Sequence, residues 1–226
     1  MLPGSSELLA EKRVIIFGIG GVGAQLCEAL ARAGVGSFTL VDSDTVNESN
    51  INRQIIALHS TVGAFKTEVM MARIKDINPK AEVTAVNEFV DGSRALELCK
   101  ADNYDFIADA VDTVSVKLAL AEYAEKASVP LISSMGTGNK LHPELFTIAD
   151  IYSTSVCPLC RVMRSELRKR GVKGLTVVYS TEEPVKAVAE SSHGRHAPAS
   201  VSFTPTAAGL IMAGHIVRTL LKRTDV

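Results

Sequence analysis

VIIFGIGGVGAQLCEALARAGVGSFTLVDSDTVNESNINRQ, residues 14–54, decides the fold. RVIIFG at 13–18 has the composition of a buried strand. GVGAQLCEALARAGV then carries apolar residues at helical spacing and stops at Gly34, a helix-ending residue. SFTLVD at 37–42 is a second strand. Between the first strand and the helix lies GIGGVG, 18–23, which fits G-x-G-x-x-G. In such a loop Gly18 makes the tight turn and Gly23 lets helix and strand pack closely. Gly20, with Gly21 beside it, lets the backbone approach a phosphate. The helix N-terminus adds unpaired N–H groups and a positive dipole end. Asp42 ends the second strand, where a carboxylate can bind ribose hydroxyls. A glycine turn that binds nothing would not require that acid, so the combination points to a nucleotide. It does not choose one: an NAD-dependent dehydrogenase would open the same way.

The same rhythm continues. TVGAFKTEVMMARIKDINP at 61–79 is expected to be a helix ended by Asn78-Pro79, and AEVTAVNEFV at 81–90 a strand. SRALELCKA at 93–101 reads as a short helix, YDFIADAV at 104–111 as a buried strand, SVKLALAEYAEKASV at 115–129 as a helix and PLISSMG at 130–136 as a strand. Later come strands at 146–151 and 175–180 with a basic helix at 161–172 between them, then a strand VSFTP at 201–205 and a helix at 206–221. In that last helix Ala208, Gly209, Ala213 and Gly214 allow close packing. The fold class is α/β: Rossmann-like, a mostly parallel sheet with helices on both faces, and a smaller mixed C-terminal extension of the sheet. Residues 1–226 read as a single domain, with an ATP-binding core at 13–136 and an extension at 137–226. The polar stretch at about 182–200 is expected to be a mobile loop; its His193 and His196 lack ligand spacing.

NESNINRQ chooses the nucleotide. Arg53 can bind phosphate oxygens as a bidentate fork, and Lys66, on the next helix, can act as a mobile point charge. A nicotinamide dinucleotide, its pyrophosphate already held by the glycine loop, has no use for both. A triphosphate does, because charge builds up as pyrophosphate leaves. Each residue alone would be read as a surface cation; together, after GIGGVG and Asp42, they are not. Asp112, in DAVDTVSVK at 109–117, lies past a strand end, where ligands sit in open α/β sheets. It suits a helix N-cap equally well, or the positioning of magnesium and ribose-phosphate near the α-phosphate.

The ordered set GIGGVG, LVDSD, NINRQ, Lys66 and DAVD resembles the adenylyltransferases related to ubiquitin-activating enzyme, among them the activators of the sulfur carriers of molybdopterin and thiamine synthesis. The resemblance covers residues 14–136 well. It implies binding of ATP with Mg2+ and adenylation of a carboxylate with release of pyrophosphate. It also implies that Asp42 binds the ribose, that Asn50, Arg53 and Lys66 hold the phosphates, and that Asp112 sits by the metal and the α-phosphate. Asp44 and Gln54 join them as nucleotide-binding candidates. Within this group the closer resemblance is to the tRNA threonylcarbamoyladenosine dehydratases, carried by residues 31–79, by SSMGTGNKLHPELFTIADI at 133–151, by VVYSTEEP at 177–184 and by SVSFTPTAAGLIMAG at 200–214. That implies ATP-dependent activation of the threonyl carboxylate on a modified adenosine beside the anticodon, and cyclisation with net loss of water. A homodimer is expected by the same resemblance, with a sulfur-transfer protein as a further partner and a monovalent cation near GTGNK at 136–140. The family usually carries an arginine before the first strand that reaches the partner subunit's phosphates; MLPGSSELLAEKR here supplies only Arg13.

Two alternatives belong to other classes. One is an adenylyltransferase that activates the C-terminus of a sulfur-carrier or ubiquitin-like protein; the other is a non-catalytic nucleotide-binding partner. Sulfur-carrier activators typically close a tetrahedral zinc site with two C-x-x-C pairs. Here Cys157-Pro-Leu-Cys160 is a single pair, with Cys27 and Cys99 on separate predicted helices, so zinc is not expected. Arg161, Arg164 and Arg168 share one helix face and form the candidate surface for the tRNA backbone. They stand out because the whole chain carries a formal charge of only −1. Aromatic residues make up 5%, without tryptophan, so base stacking is not advertised. No apolar run is long enough to span a bilayer and the N-terminus has no signal-peptide core, so a cytoplasmic protein without membrane contact is expected.

Overall fold

The computed structural model describes residues 4–183 and 199–222. Its centre is a sheet of seven strands in the order β3-β2-β1-β4-β5-β7-β6. The strands are β1 (Arg13–Phe17), β2 (Ser37–Val41), β3 (Glu82–Val86), β4 (Phe106–Asp109), β5 (Leu131–Ser134), β6 (Phe146–Asp150) and β7 (Thr176–Ser180). All neighbours run parallel except β6 and β7, whose antiparallel pairing forms the mixed extension.

β1 shows why the sheet needs helices on both faces. Successive side chains of a strand point to opposite sides. Val14 and Ile16 join one apolar cluster, Ile15 and Phe17 the other, and all four are buried. The first cluster is covered by α2 (Gly23–Ala33), α3 (Lys66–Ile77) and α7 (Phe203–Leu220). The second lies under α4 (Gly92–Lys100), α5 (Val114–Ala127) and α6 (Pro158–Lys169). A strand apolar on both sides is what such a doubly covered parallel sheet demands. A further helix, α1 (Ser5–Ala10), precedes β1 and buries Leu9; the sequence reading had assigned it no element.

Two expected elements are corrected. The helix expected from residue 61 begins only at Lys66, because Gly63 takes a left-handed φ of 90° and Phe65 pairs as a bridge with Thr45. Of the strand expected at 201–205, Phe203, Thr204 and Pro205 form the first turn of α7, and Val201 and Ser202 precede it. Pro205 misled the reading: it pushes the residue before it toward extended backbone, yet proline is tolerated within a first helical turn. The loop expected at 182–200, with His193 and His196, lies outside the described residues except at its ends. There the Glu182 carboxylate accepts the N–H groups of Leu141 and His142, and Ala199 exchanges hydrogen bonds with Asn139.

Strand order reverses between β1 and β4. In open α/β sheets ligands bind outside the carboxyl ends of strands at that switch point. The glycine loop leaves β1 there, and the 110–113 segment leaves β4 beside it.

Candidate nucleotide site

A cleft of about 480 Å³ opens at this switch point. Gly18, Gly20 and Gly21 form one wall, and Asp42 and Asp44 stand at the end of β2. Asn50, Arg53 and Gln54 come from the 47–54 loop, Lys66 from α3 and Asp112 from the segment after β4. Gly23 stands behind the wall. A Cβ there would lie 1.8 Å from the Gly18 carbonyl oxygen, and one on Gly18, whose φ is 87°, would lie 2.7 Å from that of Ala110. The loop therefore closes only with glycine at both positions. A larger groove of about 740 Å³ lies between α4, α5 and α6 and contains none of the residues expected at the site.

The loop is held by an acid. Asp42 Oδ2 accepts the Ile19 N–H at 2.6 Å, and Oδ1 accepts that of Asp44 at 2.9 Å. α2 has Val22 at its N-cap and no side-chain cap; the Ala24 N–H turns back to the Gly20 carbonyl at 3.0 Å, and the N–H groups ahead of it can serve a ligand. The remaining acceptor capacity of the Asp42 carboxylate faces the cleft rim, where it can take hydroxyl donors.

The 47–54 loop supplies donors. Glu48–Asn50 is one turn of tight helix, closed by reciprocal hydrogen bonds between Asn47 and Asn50. Asn50 Oδ1 accepts the Asn47 N–H, which leaves its amide N–H groups to donate. Arg53 Nη1 donates to Ser49 O and Asn52 Oδ1, both at 2.8 Å, which orients the guanidinium and leaves further N–H donors. Gln54 is buried, and its Oε1 has no hydrogen-bond partner among the described residues.

Lys66 opens α3, is only 5% exposed and pairs with Asp44 at 2.6 Å. Asp112 is exposed, and its carboxylate meets the Thr113 hydroxyl at 3.5 Å. It does not cap α5; that position belongs to Thr113, which makes no side-chain cap. The capping account of Asp112 is thereby removed. One exposed carboxylate at the rim of a cleft has the chemistry that suits magnesium, which takes one or two carboxylates together with substrate phosphates. Among the described residues no group of three or more His, Cys, Asp or Glu side chains converges on a protein-only metal site.

The sequence reading missed a buried network behind Asp112. Lys117 of α5, 1% exposed, reaches Asp109 at 3.1 Å, Ser133 Oγ at 3.2 Å and Ser134 O at 2.7 Å. Asp109 also accepts the Val111 N–H at 3.2 Å and so fixes the turn that carries Asp112. The signal was a lysine inside the apolar stripe of α5, since a buried cation requires a partner. Also missed were the apolar side of the cleft, with Val41, Phe89, Val90, Val111 and Val116, and the approach of Thr137 and Pro205.

The basic face of α6 is partly engaged within the chain. Arg164 donates to Thr154 O at 2.9 Å, and Arg168 lies over the Tyr152 ring at 5.1 Å. Arg161 is exposed. No described helix is long and apolar enough to cross a membrane.

Comparison with known proteins places these features in a family. The ThiF family model matches residues 3–226. The chain is 43% identical to tRNA threonylcarbamoyladenosine dehydratase of Bacillus subtilis (strain 168), over 97% of this chain and 91% of the relative. It is 38% identical to the protein of that name in Escherichia coli (strain K12), over 78% and 68% respectively. The crystal structure of the E. coli dehydratase TcdA in complex with ATP superposes with a TM-score of 0.88 at 32% identity, covering 97% of this chain and 90% of that one.

Proposed function

The chain belongs to the ThiF family, and from that premise we propose that it is an ATP-dependent tRNA-modifying enzyme that converts threonylcarbamoyladenosine to a cyclic form by net loss of water. The observation that carries this reading is the convergence of Arg53, Lys66, Asp112 and the uncapped start of α2 on one cleft with an apolar side. Arg53, Lys66 and Asp112 are the catalytic residues. The N-terminal section, 13–136, forms the nucleotide core, and the remainder, to residue 226, completes the same domain.

ATP lies with its base on the apolar side, its ribose at Asp42 and its phosphates between the glycine loop and Asn50, Arg53 and Lys66. A substrate carboxylate oxygen attacks the α-phosphorus, the bond to the β-phosphate breaks, and pyrophosphate leaves. Arg53 and Lys66 stabilise the charge gathering on it. Lys66 does so by exchanging Asp44 for phosphate, so Asp44 serves the nucleotide through Lys66. Asp112, with the phosphates, would hold a magnesium ion that supplies further charge neutralisation when bound.

The acyl-adenylate is then closed by a nucleophile from the same side chain. It forms its bond to the activated carbonyl and gives up a proton, and AMP departs with one of the original carboxylate oxygens. The substrate thus loses one water in total. Proximity replaces a catalytic thiol, so a carrier-protein tail is not required. The exposed Arg161 edge of α6 contacts the tRNA backbone, the protein works as a homodimer, and its tRNA substrate puts it in the cytoplasm.

The products test the adenylation step. With tRNA bearing linear threonylcarbamoyladenosine, AMP and pyrophosphate should accumulate in equal amounts with the dehydrated nucleoside. ADP and inorganic phosphate instead would mean that the carboxylate is phosphorylated and that this account is wrong.

A further inference from the structure

Cys157 and Cys160 take no part in the cleft chemistry, yet they are placed unlike the other two thiols. Cys157 is the N-cap of α6, Pro158 opens the helix, and Cys160 follows in its first turn. The Cys160 thiol and the backbone N–H groups of Cys160, Gly136 and Leu159 approach the Cys157 sulfur. This polar surrounding, Cys160 foremost, favours the thiolate of Cys157, and the Cys160 thiol is raised in return. Cys157 is 3% exposed, but exposed Ser155, Val156 and Pro158 surround it. By contrast, burial raises both remaining thiols, Cys27 within the α2 side of the core and Cys99, to about 12, within the α4 side.

The backbone leading into the pair is strained. Val156 has a φ of 59°, and the Cys157 N–H folds back to Ser155 O at 2.5 Å. A β-branched residue in the left-handed region is a genuine outlier, and such strain persists where the surroundings impose it, typically at functional sites. The pair also touches the nucleotide cleft. Gly136, whose N–H approaches the Cys157 sulfur, precedes Thr137, and Thr137 both lines the cleft and accepts a hydrogen bond from Thr204 of α7.

We propose that Cys157 and Cys160 form a reversible dithiol–disulfide couple whose state is transmitted to the cleft through Gly136 and Thr137. The oxidant is a small-molecule disulfide of the glutathione class. The Cys157 thiolate attacks one of its sulfurs, forming a mixed disulfide and releasing one thiolate. Cys160 gives up its proton and attacks the Cys157 sulfur, forming the internal disulfide and releasing the second thiol. Two protein thiols are oxidised and one small disulfide is reduced to two thiols. Once bonded, the Cys157 sulfur is a poorer acceptor for the Gly136 N–H, and the 135–137 segment loosens beside the phosphates. The transmission rests on the reading of the cleft as a nucleotide site; the disulfide itself does not.

The folded protein is equilibrated in glutathione redox buffers, quenched with an alkylating reagent and mapped by peptide mass, and ATP affinity is measured at each end of the range. The expected result is a Cys157–Cys160 disulfide without glutathione adducts, with Cys27 and Cys99 alkylated only after unfolding. Cys160→Ser should instead trap glutathione on Cys157. ATP affinity should differ by about fivefold or more between the two states, and in Cys157→Ser it should ignore the buffer. Adducts on Cys27 or Cys99 first, or no oxidation short of unfolding, would overturn the couple. A disulfide that forms while ATP binds equally well in both states would overturn the transmission. Failure of the reduced protein to bind ATP would count against the nucleotide reading.

Discussion

Lys66 Nζ lies 2.6 Å from Asp44 Oδ2, and the Lys66 N–H donates to the Asp44 carbonyl at 3.0 Å. A cation on the first turn of a helix faces the positive end of the helix dipole and is disfavoured there. Asp44 offsets that cost in the free protein. A phosphate would do the same in a nucleotide complex, so on the proposed function Lys66 changes partners when ATP binds.

Arg53→Ala and Lys66→Ala should each slow adenylation by roughly a hundredfold or more, with the circular dichroism spectrum unchanged. Asp44→Asn separates two roles for that carboxylate. If it only holds Lys66, ATP binds at least as tightly without it, because a negative charge near the phosphates is gone. Weakened ATP binding in a titration would make Asp44 a direct ligand instead.

Gly23→Ala should damage the fold as well as the site. Its new Cβ would meet backbone rather than a movable side chain. A loss of about 2–4 kcal/mol in denaturant unfolding is expected, together with loss of ATP binding. Wild-type stability in this variant would mean that the loop is not closed as described.

Lys117→Ala leaves Asp109 buried without its cation, which should cost about 3–5 kcal/mol. Replacing both with apolar residues, Asp109→Leu with Lys117→Met, should restore most of the stability. It should not restore full activity, because the Val111 N–H loses its acceptor and the Asp112 turn is released. Recovery of both would reduce the network to a purely structural one.

Glu28 joins α2 to α3. Burial alone would raise its carboxyl, but hydrogen bonds from Arg73 and Arg32 outweigh burial and hold it below the usual carboxylate range. A carboxyl lowered by folding stabilises the protein above its unfolded value, about 4.3, and that stability is lost as the pH falls through the folded value. Glu28→Gln should therefore cost ~1 kcal/mol near neutrality and progressively less below about pH 4. A melting temperature deficit that stays constant with pH would contradict the ion-pair account.

The parallel part of the sheet and its glycine loop were legible because their signals are local. A glycine loop, a strand-end acid and apolar periodicity each lie within a few residues. Arg53 and Lys66 were expected together, and the structure brings both to the cleft that the glycine loop opens. What escaped depends on contacts between distant segments. The Asp109–Lys117–Ser133 network spans 24 residues, and only the sheet brings Asp109 and Ser133 side by side. The start of α7 was misread because Pro205 sends opposite local messages, and the tertiary contact of its first turn with the glycine loop decides between them. Asp112 had two local explanations until the structure gave the cap position to Thr113.

The central claim meets its most direct test in the mass of one nucleoside. The protein is incubated with ATP, magnesium and tRNA bearing linear threonylcarbamoyladenosine, the tRNA is digested gently, and the modified nucleoside is weighed. Loss of one water that requires both ATP and Lys66 is the predicted result. An unchanged mass with ATP bound, or loss of water undiminished in Lys66→Ala, would contradict it.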